Sequence, residues 1–263
     1  VEKAIENQKG RVSKDMDFKM KEELMYGKAA QALSVLDDKV QAIKKVMKEG
    51  GVSLDEINNY IYALHAKERN QVIKERIEAE NEDRAKKKKK LVPVTEKGSG
   101  MSNERADEII NSAKPSQKKA LDKLEGMIRE IQDDTRGTMV EFGLESQQTI
   151  DAWGEMFSRY VPLAGLATDE QSEATSSYPT GGAGISVFGS TTKRAKGRKN
   201  EAENILAQVI AQNAATHIKS RTNEAVRSLY DLAKNNPNKD VWEVLDEANS
   251  LEPNVVSVRV DGE

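Results

Sequence analysis

Hydrophobic residues recur at spacings of three and four along the first third of the chain, which predicts two amphipathic α-helices. A Gly-Gly turn at residues 50–51 separates them, and Ser53 with Glu56 has the spacing of a capping box that starts the second helix. Because the turn is short, we expect the two helices to pack as an antiparallel hairpin, with Ile61 and Leu64 facing the first helix. The apolar stripes of the two helices consist of Leu33, Leu36, Val40, Ile43 and Met47, and of Leu54, Ile57, Ile61 and Leu64.

Further helices are predicted in the middle of the chain. Ser102 is placed as an N-cap with Glu104 in the first turn, and Pro115 breaks or restarts that helix. An amphipathic segment follows around Trp153. The long helix between them has an apolar face formed by Leu121, Leu124, Ile128 and Ile131.

Residues 161–198 have no helical periodicity and are rich in Gly, Ser and Thr. Loops of this length are uncommon inside a domain and are usually functional or disordered. Beyond the loop, residues 201–235 carry the clearest helical pattern of the chain. A short helix is expected around Val241 to Leu245, and "VVSVRV" at residues 255–260 alternates as a strand does.

These patterns predict a mainly α fold: an elongated bundle of helical hairpins with one long irregular loop and a short C-terminal strand. The organisation that follows is an N-terminal helical hairpin (1–90), a linker (91–100), central helices (101–160), the long Gly/Ser-rich loop (161–198), a long C-terminal helix with a short helix (199–250), and a strand leading out of the sequence (251–263).

Composition narrows the function classes. The 263 residues are 37% hydrophobic and 32% charged with a net charge of -3, so no global attraction to nucleic acid or to a membrane surface is implied. There is no cysteine, which excludes disulfides, thiolate catalysis and cysteine-ligated metal. No apolar run approaches the roughly 20 residues of a membrane span.

The stretch "YIYALHAKERN" at residues 60–70 has the mixed composition of an active site. His65 has Glu68 and Arg69 three and four positions later, within reach on one side of a helix, but no nucleophile lies beside it. We therefore interpret this stretch as a structural polar cluster that holds its helix against the segment starting at "GSGM". The cluster consists of Tyr60, His65, Glu68, Arg69 and Asn70.

Other candidate chemistry is sparse. The second histidine, His217, has no metal-ligand spacing around it, and the Gly-rich "GGAGISVFG" lacks a phosphate-binding pattern, so no metal or cofactor is expected. Five lysines at residues 86–90 are interpreted as a solvated helix end and linker. A second basic run, which directly precedes a helix, is the candidate for phosphate contact: Lys193, Arg194, Lys196, Arg198 and Lys199.

The ends of the sequence lead us to expect a piece of a longer protein. The first residue is not Met, and the strand-like "VVSVRV" has no obvious partner nearby. A complete small protein with a processed Met is the alternative.

Four stretches occur in order along the chain: "YIYALHAKERN", "GSGMSNERADEII", "YVPLAG" and "GRKNEAENILAQVIAQNAATHIKSRTNEA". Together they resemble a helical region of very large bacteriophage proteins, the large polyvalent proteins. These proteins include defence-against-restriction proteins and other giant proteins that are packaged in virions and injected with the genome. The region lies among enzymatic domains in that family and is not itself catalytic, so the resemblance transfers no active-site role.

The resemblance implies a non-catalytic structural or interaction module of a large virion protein, an internal or ejection protein delivered into the host with the genome. Its partners would be other phage virion proteins or copies of itself, without a permanent membrane span, and its location the capsid interior or tail and then the host cell. The alternative is a nucleic-acid-associated module of an antirestriction or injected polymerase-type phage protein, in which the basic run contacts DNA.

Overall fold

The computed structural model describes residues 1–163, 202, 204–238, 240–245 and 255–263. Within these residues the protein is mainly α-helical and contains no β-sheet, which confirms the predicted fold class. The helices are α1 (Glu2–Lys9), a single 3₁₀ turn (Lys14–Met16), α2 (Phe18–Gly50), α3 (Leu54–Lys86), α4 (Asn103–Ser112), α5 (Pro115–Glu141), α6 (Gln147–Met156) and α7 (Ile205–Asn235).

The helices begin where the sequence predicts. Ser53 and Glu56 form the capping box of α3, since the Glu56 N–H donates to Ser53 Oγ at 3.2 Å and the Ser53 N–H donates to a Glu56 carboxylate oxygen at 2.7 Å. Ser102 caps α4 by accepting from the Arg105 N–H, and Pro115 occupies the first turn of α5. These caps satisfy backbone N–H groups that have no partner inside the helix.

Helices α2, α5 and α7 form a three-helix bundle. At one end Lys28 of α2 pairs with Glu224 of α7 at 2.8 Å, and at the other end Gly50 of α2 meets Ala120 of α5. Helices α5 and α7 run in the same direction, because Asn213 lies beside Asp134 and, further along both helices, the Asn223 side chain donates to the carbonyl of residue 142. Helix α2 is therefore antiparallel to both.

The predicted hairpin of α2 and α3 is wrong. Helix α3 leaves α2 at Gly51, which has a φ of 60°. It packs on α5 and α7 through its first turns and on α4 through its middle turns, where Lys67 pairs with Asp107. The corner between α2 and α3 is occupied by α5: a Cβ on Gly50 would lie 2.3 Å from the Ala120 Cβ. Ile61 and Leu64 accordingly lie beside Ile128 and residue 161.

Helix α3, residues 87–102 and helix α4 form an arm that projects from the bundle. Helix α3 ends in a Schellman motif, with Lys88 in the left-handed region (φ 52°) and the Lys89 N–H donating to the Arg84 carbonyl at 2.8 Å. The chain then reverses, and the Asn81 side chain holds both the carbonyl and the N–H of Val92, at 2.8 and 2.7 Å. The predicted linker is therefore packed back along α3.

The C-terminal residues differ from the sequence prediction. Residues 240–245 form a turn and an isolated bridge between Asn238 and Trp242, so the short helix expected around Val241 to Leu245 is not formed there. The strand predicted near the C-terminus is not formed in residues 255–263. Instead of a neighbouring strand, the Asn223 side chain pairs with the backbone of Arg259, donating to its carbonyl at 2.8 Å and accepting from its N–H at 2.9 Å.

The predicted loop at residues 161–198 falls almost entirely outside the described residues. In the part of the chain that is described, no helix combines the length and the apolar character that a bilayer crossing requires.

Candidate functional site: the buried junction around His65

The junction lies where α3 meets two later segments, residues 99–103 and residues 157–161. We call it the His65 junction and define it by His65, Asn70, Ser99, Phe157 and Tyr160. It adjoins a core formed jointly by α2, α3, α4, α5 and α7. Three of the four stretches singled out in the sequence therefore meet at one place.

His65 is completely buried, although its position beside the apolar stripe predicts a flank of the helix. Its ring packs edge-on against Phe157 and Tyr160, with centroid distances of 5.3 and 5.8 Å. Edge-to-face packing places the positive rim of one ring against the negative face of another and is a favourable arrangement. The aromatic contacts explain why α3 holds residues 157–160 at this point.

Burial and, to a smaller extent, the nearby Arg69 guanidinium together lower the pKa of His65 to about 3, although the Arg159 backbone acts in the opposite direction. Neither ring nitrogen makes a hydrogen bond of good geometry with the described residues. The imidazole is therefore neutral at ordinary pH. Because a general base must reach and accept a proton from substrate, the geometry gives no support to catalysis by His65.

Glu68 does not orient His65. Its carboxylate accepts a hydrogen bond from the Ser158 hydroxyl and another, at 3.1 Å, from the Arg159 N–H. The carboxylate thus ties the exposed side of α3 to the same segment whose aromatic rings cover His65.

Asn70 is the clamp between α3 and the segment that leads into α4. Its side-chain nitrogen donates to the Met101 carbonyl at 2.8 Å and to Asn103 Oδ1 at 2.9 Å, and its oxygen accepts from the Ser99 N–H at 2.8 Å. Tyr62 adds a fourth bond, from its hydroxyl to the Ser99 carbonyl at 2.8 Å. These bonds match the predicted role of holding α3 in register with "GSGM".

Tyr60 belongs to a different contact. Its hydroxyl donates to Asp122 at 2.6 Å and links α3 to α5. Burial and the hydrogen bond to the Asp122 carboxylate together raise the pKa of Tyr60 to about 12. The five residues predicted as one polar cluster thus include members that anchor three separate segments: Tyr60 on α5, Glu68 on residues 158–159, and Asn70 on residues 99–103.

A second polar network lies between α5 and α7 and was not predicted. Asn213 donates to Asp134 at 2.8 Å and to Thr135 Oγ1 at 2.9 Å, and His217 Nε2 lies 2.9 Å from Asp134. Burial alone would raise the pKa of Asp134, but the hydrogen bonds from Asn213 and His217 lower it below its usual value. This network fixes the register of two parallel helices.

The sequence carried a signal for this network. Polar residues recur along α7 at the spacing of its apolar stripe, and all of them are buried: Asn213, Thr216, Ser220 and Asn223. Such periodicity on a core-facing stripe predicts hydrogen-bonded partners, because buried polar groups without partners are costly. Asn213 and Asn223 have such partners, whereas the Ser220 hydroxyl has none among the described residues.

The candidate phosphate contacts lie outside the described residues. This applies to Lys193, Arg194, Lys196, Arg198 and Lys199, so their role stays a prediction. Among the residues with described positions, no group of three or more His, Asp or Glu side chains converges in a way that could hold a metal ion.

Comparison of the chain with protein-family models, with curated proteins and with solved structures finds no match.

Proposed function

We propose that this chain is a non-catalytic structural and interaction module of a large bacteriophage virion protein, an internal or ejection protein delivered into the host with the genome. The observation that supports the proposal best is the position of the four stretches in the folded chain. The stretches on which the resemblance to large polyvalent proteins rests are scattered along the chain, yet their described parts pack together.

The contacts between these stretches are specific. Asn70 of the first stretch binds the backbone of Ser99 and Met101 in the second. His65 packs on Tyr160 of the third. The fourth stretch, at the start of α7, joins the same helix through the Leu206 N–H, which donates to Asn58 Oδ1 at 3.0 Å. If this chain and the large polyvalent proteins share a structural unit, the residues that form its internal contacts are the ones expected to be similar in both.

The polar residues of this unit are used for packing. Asn70 and Glu68 form hydrogen bonds with backbone and side-chain groups of neighbouring segments, and His65 is buried. A catalytic site needs groups that substrate can reach. The described residues thus favour a module that presents helical faces to other virion proteins or to copies of itself.

Quantitative mass spectrometry of purified virions tests the proposal. In the phage that encodes this chain, we expect its peptides in filled particles, resistant to added protease, and depleted from particles that have ejected their DNA. A phage replication protein serves as the control that should be absent from washed particles. Absence of the chain from particles that contain the capsid and tail proteins at full coverage would overturn the proposal.

Nucleic-acid association is the second candidate, favoured by the five basic residues in seven positions from Lys193 to Lys199. Filter binding of duplex DNA at increasing salt tests it, because each phosphate contact steepens the loss of affinity with salt. Glutamine at all five positions should flatten that slope, and an unchanged slope would remove these residues as the contact.

A further inference from the structure

An open groove of about 810 Å³ lies between the second half of α5 and α6. Val140, Ile150 and Phe157 are its apolar lining, and Ile150 and Phe157 lie at its base, 9% and 7% exposed. Gly137 and Gly154 also line it, and a Cβ built on either would meet nothing within 4 Å. Backbone without side chains at these two points lets an incoming segment approach closely.

The rim of the groove is acidic. Four carboxylates line it against one guanidinium, that of Arg136. Asp133 pairs with Arg136, and Asp151 accepts a hydrogen bond from the Gln147 side chain at 2.7 Å. The other two carboxylates have no hydrogen-bonding or ionic partner among the described residues: Glu141 and Glu155.

The tip of the arm, residues 86–94, has the complementary character. All five of its lysines are exposed, and Lys87 alone among them pairs with a described carboxylate, that of Asp83 at 2.7 Å. Leu91 and Val94 follow directly and are 54% and 47% exposed. These two exposed aliphatic side chains and the neighbouring lysines form an amphipathic surface. Its positive charge is opposite to the charge of the groove rim.

The shape of the tip is fixed before any partner binds. The Schellman turn at Lys88 and the two hydrogen bonds of Asn81 to Val92 hold the chain reversal. A preformed surface loses less conformational entropy on binding than a flexible one. The tip is therefore suited to dock as a rigid body.

We propose that the tip of one copy docks into the groove of a second copy of this chain, with Leu91 and Val94 on the apolar lining and the lysines against the rim. The tip does not reach the groove of its own molecule. Glu68 contacts Ser158 at the edge of the groove, and Lys86 lies 18 residues further along the same helix, about 27 Å at 1.5 Å per residue. The inference rests on the proposed interaction role and names the partner and both surfaces.

Such a contact joins two different surfaces, so a dimer still has one free tip on one copy and one free groove on the other. Association should therefore continue beyond a dimer, into a ring or a filament. Since the charged groups are solvent-exposed, added salt should weaken it by screening.

Sedimentation velocity of the 263-residue chain tests the inference through a charge exchange. Glu141→Lys with Glu155→Lys reverses the groove, and Lys89→Glu with Lys90→Glu reverses the tip. We expect concentration-dependent association of the wild type, and at least a tenfold weakening in each double variant alone. An equimolar mixture of the two variants should associate again, because each tip then meets a groove of opposite charge.

Lys118→Glu with Lys119→Glu is the matched control, since it reverses an adjacent exposed lysine pair on α5 away from both surfaces and should associate like the wild type. Circular dichroism checks that every variant is folded. A wild type that stays monomeric, a wild type that gains a complex only with added DNA, or two variants that fail to restore each other's association would each overturn the inference. If the chain is packaged in virions but stays monomeric, the tip-to-groove contact is refuted and the proposed function stands. If the chain associates but is absent from virions, the proposed function is refuted and the contact stands.

Discussion

Replacing His65 with leucine should make the protein more stable and less sensitive to acid. Both ring nitrogens of His65 are buried without a hydrogen bond of good geometry. An unsatisfied buried polar group costs about 1–3 kcal/mol. The edge-on contacts with Phe157 and Tyr160 that leucine gives up are worth about 0.5–1.5 kcal/mol each. The two ring nitrogens together cost about 2–6 kcal/mol and the two ring contacts together return about 1–3 kcal/mol, so we expect His65→Leu to be about 1–3 kcal/mol more stable at pH 7.

The pH dependence provides the larger signal. The folded pKa of His65 is about 3, and an unfolded histidine titrates near pH 6.5. Between these values the unfolded state binds a proton that the folded state excludes, so the free energy of unfolding falls as the pH falls, by about 1.4 kcal/mol per pH unit. From pH 7.0 to pH 5.0 this amounts to about 2 kcal/mol, because the slope reaches only half its full value at pH 6.5. The ordinary pKa of a carboxyl group lies below this window.

Urea unfolding followed by far-ultraviolet circular dichroism at pH 7.0, 6.5, 5.5 and 5.0 measures both effects. The difference in unfolding free energy between His65→Leu and wild type should widen by about 2 kcal/mol across the window. His217→Gln is the control, and the stability of that variant should still fall with acid as His65 requires. Parallel pH profiles for wild type and His65→Leu would refute the reasoning.

Three further changes have magnitudes set by the structure, each measured by urea unfolding. Gly50→Ala should lower the free energy of unfolding by about 1–3 kcal/mol, because the added Cβ would overlap α5. Gly27→Ala, on an open face of α2, is the control and should raise it by up to about 1 kcal/mol. Equal effects of the two substitutions would contradict the contact between Gly50 and Ala120. Asn70→Ala should lower the free energy of unfolding by about 3 kcal/mol, about 1 kcal/mol for each of its three hydrogen bonds. Asn59→Ala, at an exposed position of the same helix, is the control and should be nearly neutral. A small loss for Asn70→Ala would mean that these hydrogen bonds contribute little. Lys88→Gly should stabilise by about 0.5–1 kcal/mol by relieving a left-handed conformation, and destabilisation would contradict the Schellman turn.

The helices could be predicted because their signals are local. The capping box at Ser53, the cap at Ser102 and the proline that starts α5 all act within one turn of a helix. The apolar stripes likewise identify the buried faces of α2 and α3, except at Leu54 in the first turn of α3, which is 49% exposed.

Periodicity does not specify which helix covers a buried face. The short turn after Gly50 favours a hairpin, but the absence of a side chain there admits α5 into the corner, and that contact spans 70 positions of sequence. The burial of His65 has the same origin. Its own helix leaves it at a flank, and Phe157 and Tyr160 cover it from a distant segment.

The partners of polar residues are partly predictable. The contact of Asn70 with "GSGM" follows from mixed composition on one side of a helix close to a Gly-rich turn. The division of the cluster among three segments depends on where α5 and residues 157–160 lie, which local patterns do not specify.

The contact between Gly50 and Ala120 also bears on the order of folding. It brings together the two ends of residues 51–119, the segment that contains the arm, so the chain leaves the bundle and returns to it at the same place. Within the arm, the bonds from Tyr62 and Asn70 close loops of 37 and 31 residues, whereas the pairing of Lys28 with Glu224 closes one of 196. Contacts close in sequence cost less loop entropy and form faster. The arm can therefore assemble as a local unit while α7 is still being recruited to the bundle.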